Sequence, residues 1–310
     1  MGESPPLLGV IDVGTNSVRF LAVRGDERVL ERNAITRLGA GCDAAKSLSP
    51  AAMERTRDAI VLAAASFSEA GGDPLLHLRA VGTSALRDAA NGAEFAAAVV
   101  RACGVRLEIV SGVREAALVA RGVASAHALS GPFLLFDAGG GSTEVVAGRD
   151  GRVDFLESLD VGAVRMTERH GRPADAAAAL ALRDALTPEF AELARHLPPG
   201  ASSGALFGLG GTITTLAALS LGLDRYDAAR VEGARLSATD SDALLVRLAE
   251  TPLSVLEAKP GMEPGRADII VAGAAIVSAV LRGLAADAVR VTTRGIRHGV
   301  LAEMRAALDR

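Results

Sequence analysis

A short segment near the middle of the sequence combines a carboxylate, glycines and hydroxyl side chains. Asp137 ends an apolar run and is followed by Gly139, Gly140, Gly141, Ser142 and Thr143. Glycines let the backbone turn sharply and point several N–H groups at one spot, which suits a phosphate. A carboxylate at the end of a strand can hold a hydrated cation that faces the same anion. A tight hairpin without a ligand explains this segment, taken alone, equally well.

The start of the chain contains a second copy of the pattern. At an offset of 125 residues Asp12 aligns with Asp137, and Gly14, Thr15, Asn16 and Ser17 align with the glycine-rich segment. Arg19 aligns with Glu144, so one copy has a cation where the other has an acid. The duplication predicts two similar domains that face each other across a cleft.

Apolar runs and turn residues predict the elements that position these groups. The runs 7–13 and 18–23 are typical of two antiparallel strands joined at the first copy, and the second copy predicts the same hairpin. Elsewhere we expect a strand over 76–81, helix caps at Asn91 and Thr239, and a loop over 252–266.

Composition limits the class of protein. The chain has 310 residues, 49% of them hydrophobic, and a formal charge of −4. That balance argues against a general nucleic-acid binder or a membrane-surface binder. Two cysteines without a C-x-x-C pattern favour a reducing compartment. No signal peptide is evident, and the longest apolar run, 269–281, is too short to span a bilayer, so we expect a cytoplasmic protein.

A third glycine-containing strand end follows later in the chain. It contains Gly208, Gly210, Gly211 and Thr212. No lysine follows any of the three glycine segments, which excludes the phosphate-binding loop with the pattern G-x-x-x-x-G-K-[ST]. The third segment also lacks the last glycine of a dinucleotide fingerprint, because Ile213 stands at that position.

Eight motifs, taken together, resemble the Ppx/GppA family of exopolyphosphatases and guanosine-pentaphosphate phosphohydrolases, within the actin/Hsp70/sugar-kinase superfold. They lie at 12–19, 82–87, 111–116, 137–144, 161–168, 208–212, 266–268 and 295–297. They follow the family order and cover nearly the whole chain. The resemblance implies an α/β protein of two actin-like (ribonuclease H-like) domains with mixed sheets that face each other across an interdomain cleft. The implied domains are 1–125 with a C-terminal helix over 296–310, and 126–295.

The resemblance also implies hydrolysis of a terminal phosphoanhydride with Mg²⁺ or Mn²⁺. The leading hypothesis is an exopolyphosphatase that releases orthophosphate from polyphosphate. The residues do not separate this activity from 5′-phosphate removal from guanosine pentaphosphate (pppGpp). A non-catalytic alarmone or nucleotide sensor and an ATP-dependent kinase of the same superfold remain alternatives. The expected partner is a small anionic substrate, without nucleic acid or membrane; the resemblance allows a homodimer, and the sequence does not define the oligomeric state.

The family motifs assign roles to particular residues. Glu115 matches the catalytic base, although a first-turn glutamate can instead be a solvated group that complements the helix dipole. Arg87 matches an arginine that can clamp a phosphate. The metal candidates are Asp12, Asp137 and Glu144. Asp137 and Glu144 are also catalytic candidates, because Glu144 can instead order the catalytic water. The phosphate-binding candidates are Gly14, Thr15, Asn16, Ser17, Arg19, Gly139, Gly140, Gly141, Ser142, Thr143, Gly210, Gly211 and Thr212.

Several charged residues have a structural alternative or depart from the family pattern. For Arg165, Arg266 and Arg297 a structural salt bridge explains the sequence at least as well as substrate binding. Arg114 stands where the family often has an acid before the catalytic glutamate. This difference puts the metal affinity and the binding of a polyphosphate chain in question. His298 stands where the family usually has an acid.

Overall fold

The protein is described from a computed structural model, which covers residues 4–263 and 265–309. Its contacts divide the chain into two compact units: unit 1 is Met1–Ser125 with Ile296–Arg310, and unit 2 is Ala126–Gly295. The strands are β1 Leu7–Val13, β2 Ser17–Arg24, β3 Glu27–Ile35, β4 Leu78–Gly82, β5 Leu107–Ile109, β6 Pro132–Ala138, β7 Thr143–Arg149, β8 Arg152–Leu159, β9 Ala205–Leu209, β10 Arg235–Ser237 and β11 Ala288–Val291.

Helices connect many of the strands of both sheets. They are α1 Cys42–Ala45, α2 Pro50–Glu69, α3 Pro74–His77, α4 Ser84–Asp88, α5 Gly92–Cys103, α6 Gly112–Ala124, α7 Ala163–His170, α8 Ala176–His196, α9 Gly211–Ser220, α10 Ala228–Val231, α11 Ala238–Glu250, α12 Leu253–Glu257, α13 Ile270–Gly283 and α14 Ile296–Leu308. Within the described ranges, no helix combines the length and apolar character needed to cross a bilayer.

Unit 1 is built on a five-stranded mixed sheet in the order β3-β2-β1-β4-β5. β1 is central, and it pairs antiparallel with β2 and parallel with β4. Its nearly continuous apolar sequence suits a strand that is covered on both faces. The strand therefore delivers Asp12 to the carboxyl end of a buried sheet.

Unit 2 repeats this arrangement with a six-stranded mixed sheet in the order β10-β11-β9-β6-β7-β8. β6 takes the place of β1, because it pairs antiparallel with β7 and parallel with β9. Two mixed sheets of this kind confirm the predicted α/β fold class with actin-like units.

The predicted duplication extends to individual hydrogen bonds. The Gly14 amide donates to the Ser17 carbonyl at 3.0 Å, and the Gly139 amide donates to the Ser142 carbonyl at 3.0 Å. The register of β2 against β3 shifts between residues 22 and 23, and that of β7 against β8 shifts between residues 147 and 148. Turn and bulge thus recur at the same offset of 125 residues. Each unit presents a turn of the same construction after its central strand.

Four local expectations need correction. The segment 76–81 is not all strand, because Asp73 and Pro74 start the short helix α3 and β4 begins only at Leu78. Ser237, not Thr239, caps α11, since its hydroxyl accepts from the amide of Asp240. Asn91 precedes α5 but does not cap it with its side chain, which bonds both backbone groups of Leu48. The expected loop over 252–266 contains α12.

A half-buried carboxylate joins three helices of unit 2. Asp242 on α11 accepts hydrogen bonds from Arg183 on α8 at 3.2 Å and from Arg282 on α13 at 2.6 Å. It also accepts from the hydroxyl of Ser278 on α13. Burial raises the pKa of this carboxyl, and the hydrogen bonds from Arg282 and Ser278 outweigh it, so the pKa lies below its usual value. The charged form is therefore the form that the folded state favours.

We expect Asp242→Asn to lower the free energy of unfolding by about 1–3 kcal/mol at pH 7, because charged donors lose their ionised acceptor. A depressed folded pKa stabilises the fold above the unfolded pKa and loses that effect as pH falls through the folded pKa. Denaturant unfolding should show the deficit at pH 7 and a smaller one below about pH 4. Asp184→Asn is the matched control, because Asp184 contacts the same Arg183 but is 62% exposed. An equal loss in both variants would contradict the assignment.

Candidate functional site

The turn that follows β1 brings four predicted site residues together in unit 1. Asp12 and Arg19 lie directly opposite each other on the antiparallel pair β1–β2, so their side chains share one face of the sheet. The Thr15 hydroxyl lies 3.1 Å from the Ser84 hydroxyl at the start of α4. The Asn16 side chain is buried, and its Nδ2 has no hydrogen-bond partner among the described residues. That amide can donate to a phosphoryl oxygen or to water.

The carboxyl of Asp12 lies close to two guanidinium groups. Burial raises the pKa of Asp12, while the charges of Arg19 and Arg297 act in the opposite direction. Arg297, on α14, forms an ion pair with Glu31 of β3 at 3.2 Å. Burial is also the main cause that lowers the pKa of Arg297, with the charge of Arg19 adding to it. The salt bridge expected as an alternative for Arg297 is therefore present in the structure.

Glu115 is placed by the first turn of α6. The helix begins at Gly112, and the hydroxyl of Ser111 caps it by accepting from the amide of Arg114. The Glu115 side chain is buried, and its Oε2 accepts from Nη1 of Arg87 at 3.0 Å. The structure thus does not place Glu115 as a solvated first-turn glutamate. It pairs the two residues that the family motifs single out as base and phosphate clamp.

The turn that follows β6 collects the acidic candidates of unit 2. Asp137 and Glu144 lie opposite each other on β6 and β7, on one face of the sheet. Glu144 is buried, and its Oε1 accepts from the hydroxyls of Ser142 at 2.5 Å and Ser158 at 2.9 Å. The Thr143 hydroxyl donates to the Val161 carbonyl at 2.6 Å. Hydroxyl donors thus fix one oxygen of the Glu144 carboxylate in place.

Gly210 allows the third glycine segment to approach Asp137. Its backbone has φ 92° and ψ 162°, a conformation essentially restricted to glycine. A Cβ at this position would lie 2.3 Å from Oδ1 of Asp137 and 3.1 Å from the Ala138 carbonyl oxygen. Gly211 and Thr212, which begin α9, are buried. The missing side chain of Gly210 therefore leaves the room that the Asp137 carboxylate occupies.

The two candidate arginines of unit 2, Arg165 and Arg266, contact other residues of the protein. Arg165 on α7 is buried, donates from Nε to the Gly141 carbonyl at 2.6 Å and lies 3.5 Å from Asp160. Arg266 is also buried and pairs with Glu263. Arg165 therefore supports the glycine turn by a hydrogen bond to the backbone of Gly141.

A divalent metal fits the carboxylates of unit 2. In the part of the chain that the structure describes, no group of three or more His, Cys, Asp or Glu side chains forms an all-protein metal cage. Mg²⁺ needs no such cage, because it usually keeps several waters and takes one or two carboxylates together with substrate phosphates. Asp137, in the space left by Gly210, and Glu144 beside it supply such a pair. Asp12 suits a metal less well, since Arg19 and Arg297 bring two positive charges to it.

Sequence reasoning missed several residues that support the candidate site residues through side-chain contacts. They are Glu31, Ser84, Ser158, Glu263 and Glu303, which contact Arg297, Thr15, Glu144, Arg266 and Arg114 respectively. None belongs to a recognisable motif with its partner. Ser84 carried a usable signal, because it lies in the motif at 82–87. Ser158 lies opposite Glu144 on the neighbouring strand β8, and no motif marks that pairing.

The sequence matches a known protein family over most of its length. The profile of the Ppx/GppA phosphatase family matches residues 23–307. The chain belongs to this family. It is accordingly a hydrolase of the phosphatase type, with the actin-like fold that the family resemblance implied.

Individual members of the Ppx/GppA family are similar over most of the chain. Exopolyphosphatase 2 of Mycobacterium tuberculosis is 35% identical over 293 residues, which cover 89% of this chain and 90% of the relative. The guanosine-5′-triphosphate,3′-diphosphate pyrophosphatase of Vibrio cholerae is 30% identical over 317 residues, but the match spans only 60% of that protein. The crystal structure of the Aquifex aeolicus family member superposes with a TM-score of 0.81 at 28% identity, covering 98% of this chain and 99% of that one.

Proposed function

We propose that this Ppx/GppA phosphatase is an exopolyphosphatase, which hydrolyses the terminal phosphoanhydride of inorganic polyphosphate and releases orthophosphate. The observation that carries the proposal is the buried Glu115, held against Arg87 at the first turn of α6. The 35% identity to a protein named exopolyphosphatase 2 over 89% of this chain supports the choice of substrate.

Glu115 serves as the general base in this reaction. Water that attacks the terminal phosphorus must lose a proton, and a carboxylate within hydrogen-bond reach can accept it. The contact with Arg87 holds the Glu115 carboxylate in one orientation. Burial keeps bulk water away from the Glu115 carboxylate. The water that this carboxylate activates is therefore the ordered water that attacks the phosphorus.

Arg87 provides positive charge beside the base. A guanidinium has five N–H donors, and Nη1 of Arg87 uses one site on Glu115 and lies 3.4 Å from the Val110 carbonyl. The remaining donors can hold a phosphoryl oxygen. The phosphates of the polyphosphate are proposed to be bound by backbone amides and hydroxyls of three turns, together with Arg19. The turns are Gly14–Ser17, Gly139–Thr143 and Gly210–Thr212.

Asp137 and Glu144 are the residues that would hold Mg²⁺, with Asp12 as a third candidate. When bound, the ion supplies charge neutralisation for the phosphates. The hydroxyls of Ser142 and Ser158 keep Glu144 in position, and Gly210 leaves room for Asp137. These contacts are part of the protein and do not depend on the ion.

A second candidate is 5′-phosphate removal from pppGpp. The observation in its favour is the 30% identity to the Vibrio pyrophosphatase over 97% of this chain. Both substrates present a terminal phosphoanhydride, so the proposed base and phosphate turns apply to either. The difference must come from residues that contact the guanosine or the distal polyphosphate.

Phosphate release tests the proposed function. The protein should release orthophosphate from short and long polyphosphate in the presence of Mg²⁺ and not in the presence of a chelator. In competition at equal concentrations, polyphosphate should be consumed faster than pppGpp. The reverse order would favour the second candidate. Tight binding without turnover at any Mg²⁺ concentration would indicate a sensor, and transfer from ATP to an added alcohol would indicate a kinase.

A further inference from the structure

A two-point ion pair holds the first turn of α6 against α14. Nη1 of Arg114 donates to Oε1 of Glu303 at 2.6 Å, and Nη2 donates to Oε2 at 2.5 Å. Paired hydrogen bonds between a guanidinium and a carboxylate fix orientation as well as distance. Arg114 is the residue directly before Glu115 and is one of two positions where the chain departs from the family pattern.

A close backbone contact lies one helical turn away from this ion pair. A Cβ on Gly299 of α14 would lie 1.8 Å from the Leu118 carbonyl oxygen of α6, so the two helices nearly touch there. Leu118 is four residues after Arg114, and Glu303 is four residues after Gly299. The helices therefore run antiparallel at this point. Their contact has two fixed points, with the ion pair at the end nearer to Glu115.

Three arginines contact the carboxylate of Glu303. Nη1 of Arg79 donates to the same carboxylate at 3.3 Å, and Nη1 of Arg121 lies 3.5 Å from it. The hydrogen bond from Arg114 is the largest cause that lowers the pKa of Glu303, so the carboxylate stays charged at neutral pH. Loss of that charge would leave three guanidinium groups without their shared acceptor.

We propose that Glu303 is a positioning residue for catalysis: through Arg114 it fixes the first turn of α6 and thereby the place of the Glu115 carboxylate. The inference rests on the proposed role of Glu115 as base. Arg87 restrains the carboxylate of Glu115, and Glu303 restrains the backbone that carries it. The two restraints act on different parts of the same residue, so neither replaces the other.

The test compares Glu303→Gln with Arg121→Gln. Displacement of a reacting group by about 1 Å can cost about a hundredfold in rate, so Glu303→Gln should lower kcat on polyphosphate roughly ten- to a hundredfold, with little change in KM. Arg121→Gln removes a 3.5 Å contact of a half-exposed arginine to the same carboxylate and should leave kcat within about twofold. Arg114→Lys retains the charge but not the two-point contact and should resemble Glu303→Gln.

Amide hydrogen exchange supplies a readout that does not depend on activity. In Glu303→Gln the segment Gly112–Leu118 should exchange faster, while the later turns of α6 keep the rates of the parent. Parent-like kcat and exchange in Glu303→Gln, or parent-like behaviour of Arg114→Lys, would overturn the inference. A parent without activity on any substrate would contradict the proposed function instead, and the exchange rates would still decide whether Glu303 positions the turn.

Discussion

Replacement of Glu115 by Gln should lower kcat for phosphate release by roughly two to four orders of magnitude, because a general base typically contributes that much. The amide retains the shape of the carboxylate and can still accept from Arg87, so the fold should persist. KM should change much less than kcat, since the proton is transferred only in the transition state. Steady-state kinetics on polyphosphate of defined length gives both parameters.

Glu94→Gln is the matched control for Glu115→Gln. Glu94 also lies in the first turn of a helix, α5, but it is exposed. Its replacement should leave kcat within about twofold and melting temperature nearly unchanged, as is usual for exposed sites. If Glu115→Gln retained activity within a few-fold of the parent, the assignment of the base would be wrong.

Replacement of Gly210 by Ala should abolish most of the activity and raise the Mg²⁺ concentration needed for what remains. The new methyl group would meet Oδ1 of Asp137 at 2.3 Å, so the carboxylate or the turn must move. Backbone strain at such a conformation costs about 1–3 kcal/mol, which should also lower the melting temperature. A kcat loss of about a hundredfold or more is expected from the misplaced carboxylate.

Gly171→Ala separates backbone strain from the effect on Asp137. Gly171 has φ 74° and ψ 172°, close to the values of Gly210, but a Cβ there would meet nothing within 4 Å. Both variants should lose similar stability in thermal unfolding, and only Gly210→Ala should lose activity and need more Mg²⁺. Equal activity in the two variants would remove Asp137 from the proposed metal site.

The turns that carry Asp12 and Asp137 could be predicted from the sequence, because each follows an apolar strand and contains the glycines that a sharp turn needs. The sequence also placed Glu115 in the first turn of a helix, and the structure agrees, since α6 begins at Gly112. The signals for α3 were also present in Asp73 and Pro74, and the apolar residues that follow obscured them.

The contacts that fix the site residues could not be predicted in the same way. Arg114 and Glu303 are 189 residues apart, and Thr15 and Ser84 are 69 apart. Such pairs depend on how helices and strands pack, which local sequence patterns do not encode. The close approach of Gly210 to Asp137 is of the same kind, since the glycine pattern shows that space is needed but not which group uses it.

The most direct test of the central claim is phosphate release from polyphosphate in water enriched with ¹⁸O. Attack of water on the terminal phosphorus predicts one solvent oxygen in each released orthophosphate and a chain that shortens by one phosphate per turnover, with both signals suppressed in Glu115→Gln. Absence of orthophosphate release at every chain length and Mg²⁺ concentration would contradict the proposed activity. Solvent oxygen in the remaining chain instead of the orthophosphate would contradict attack at the terminal phosphorus.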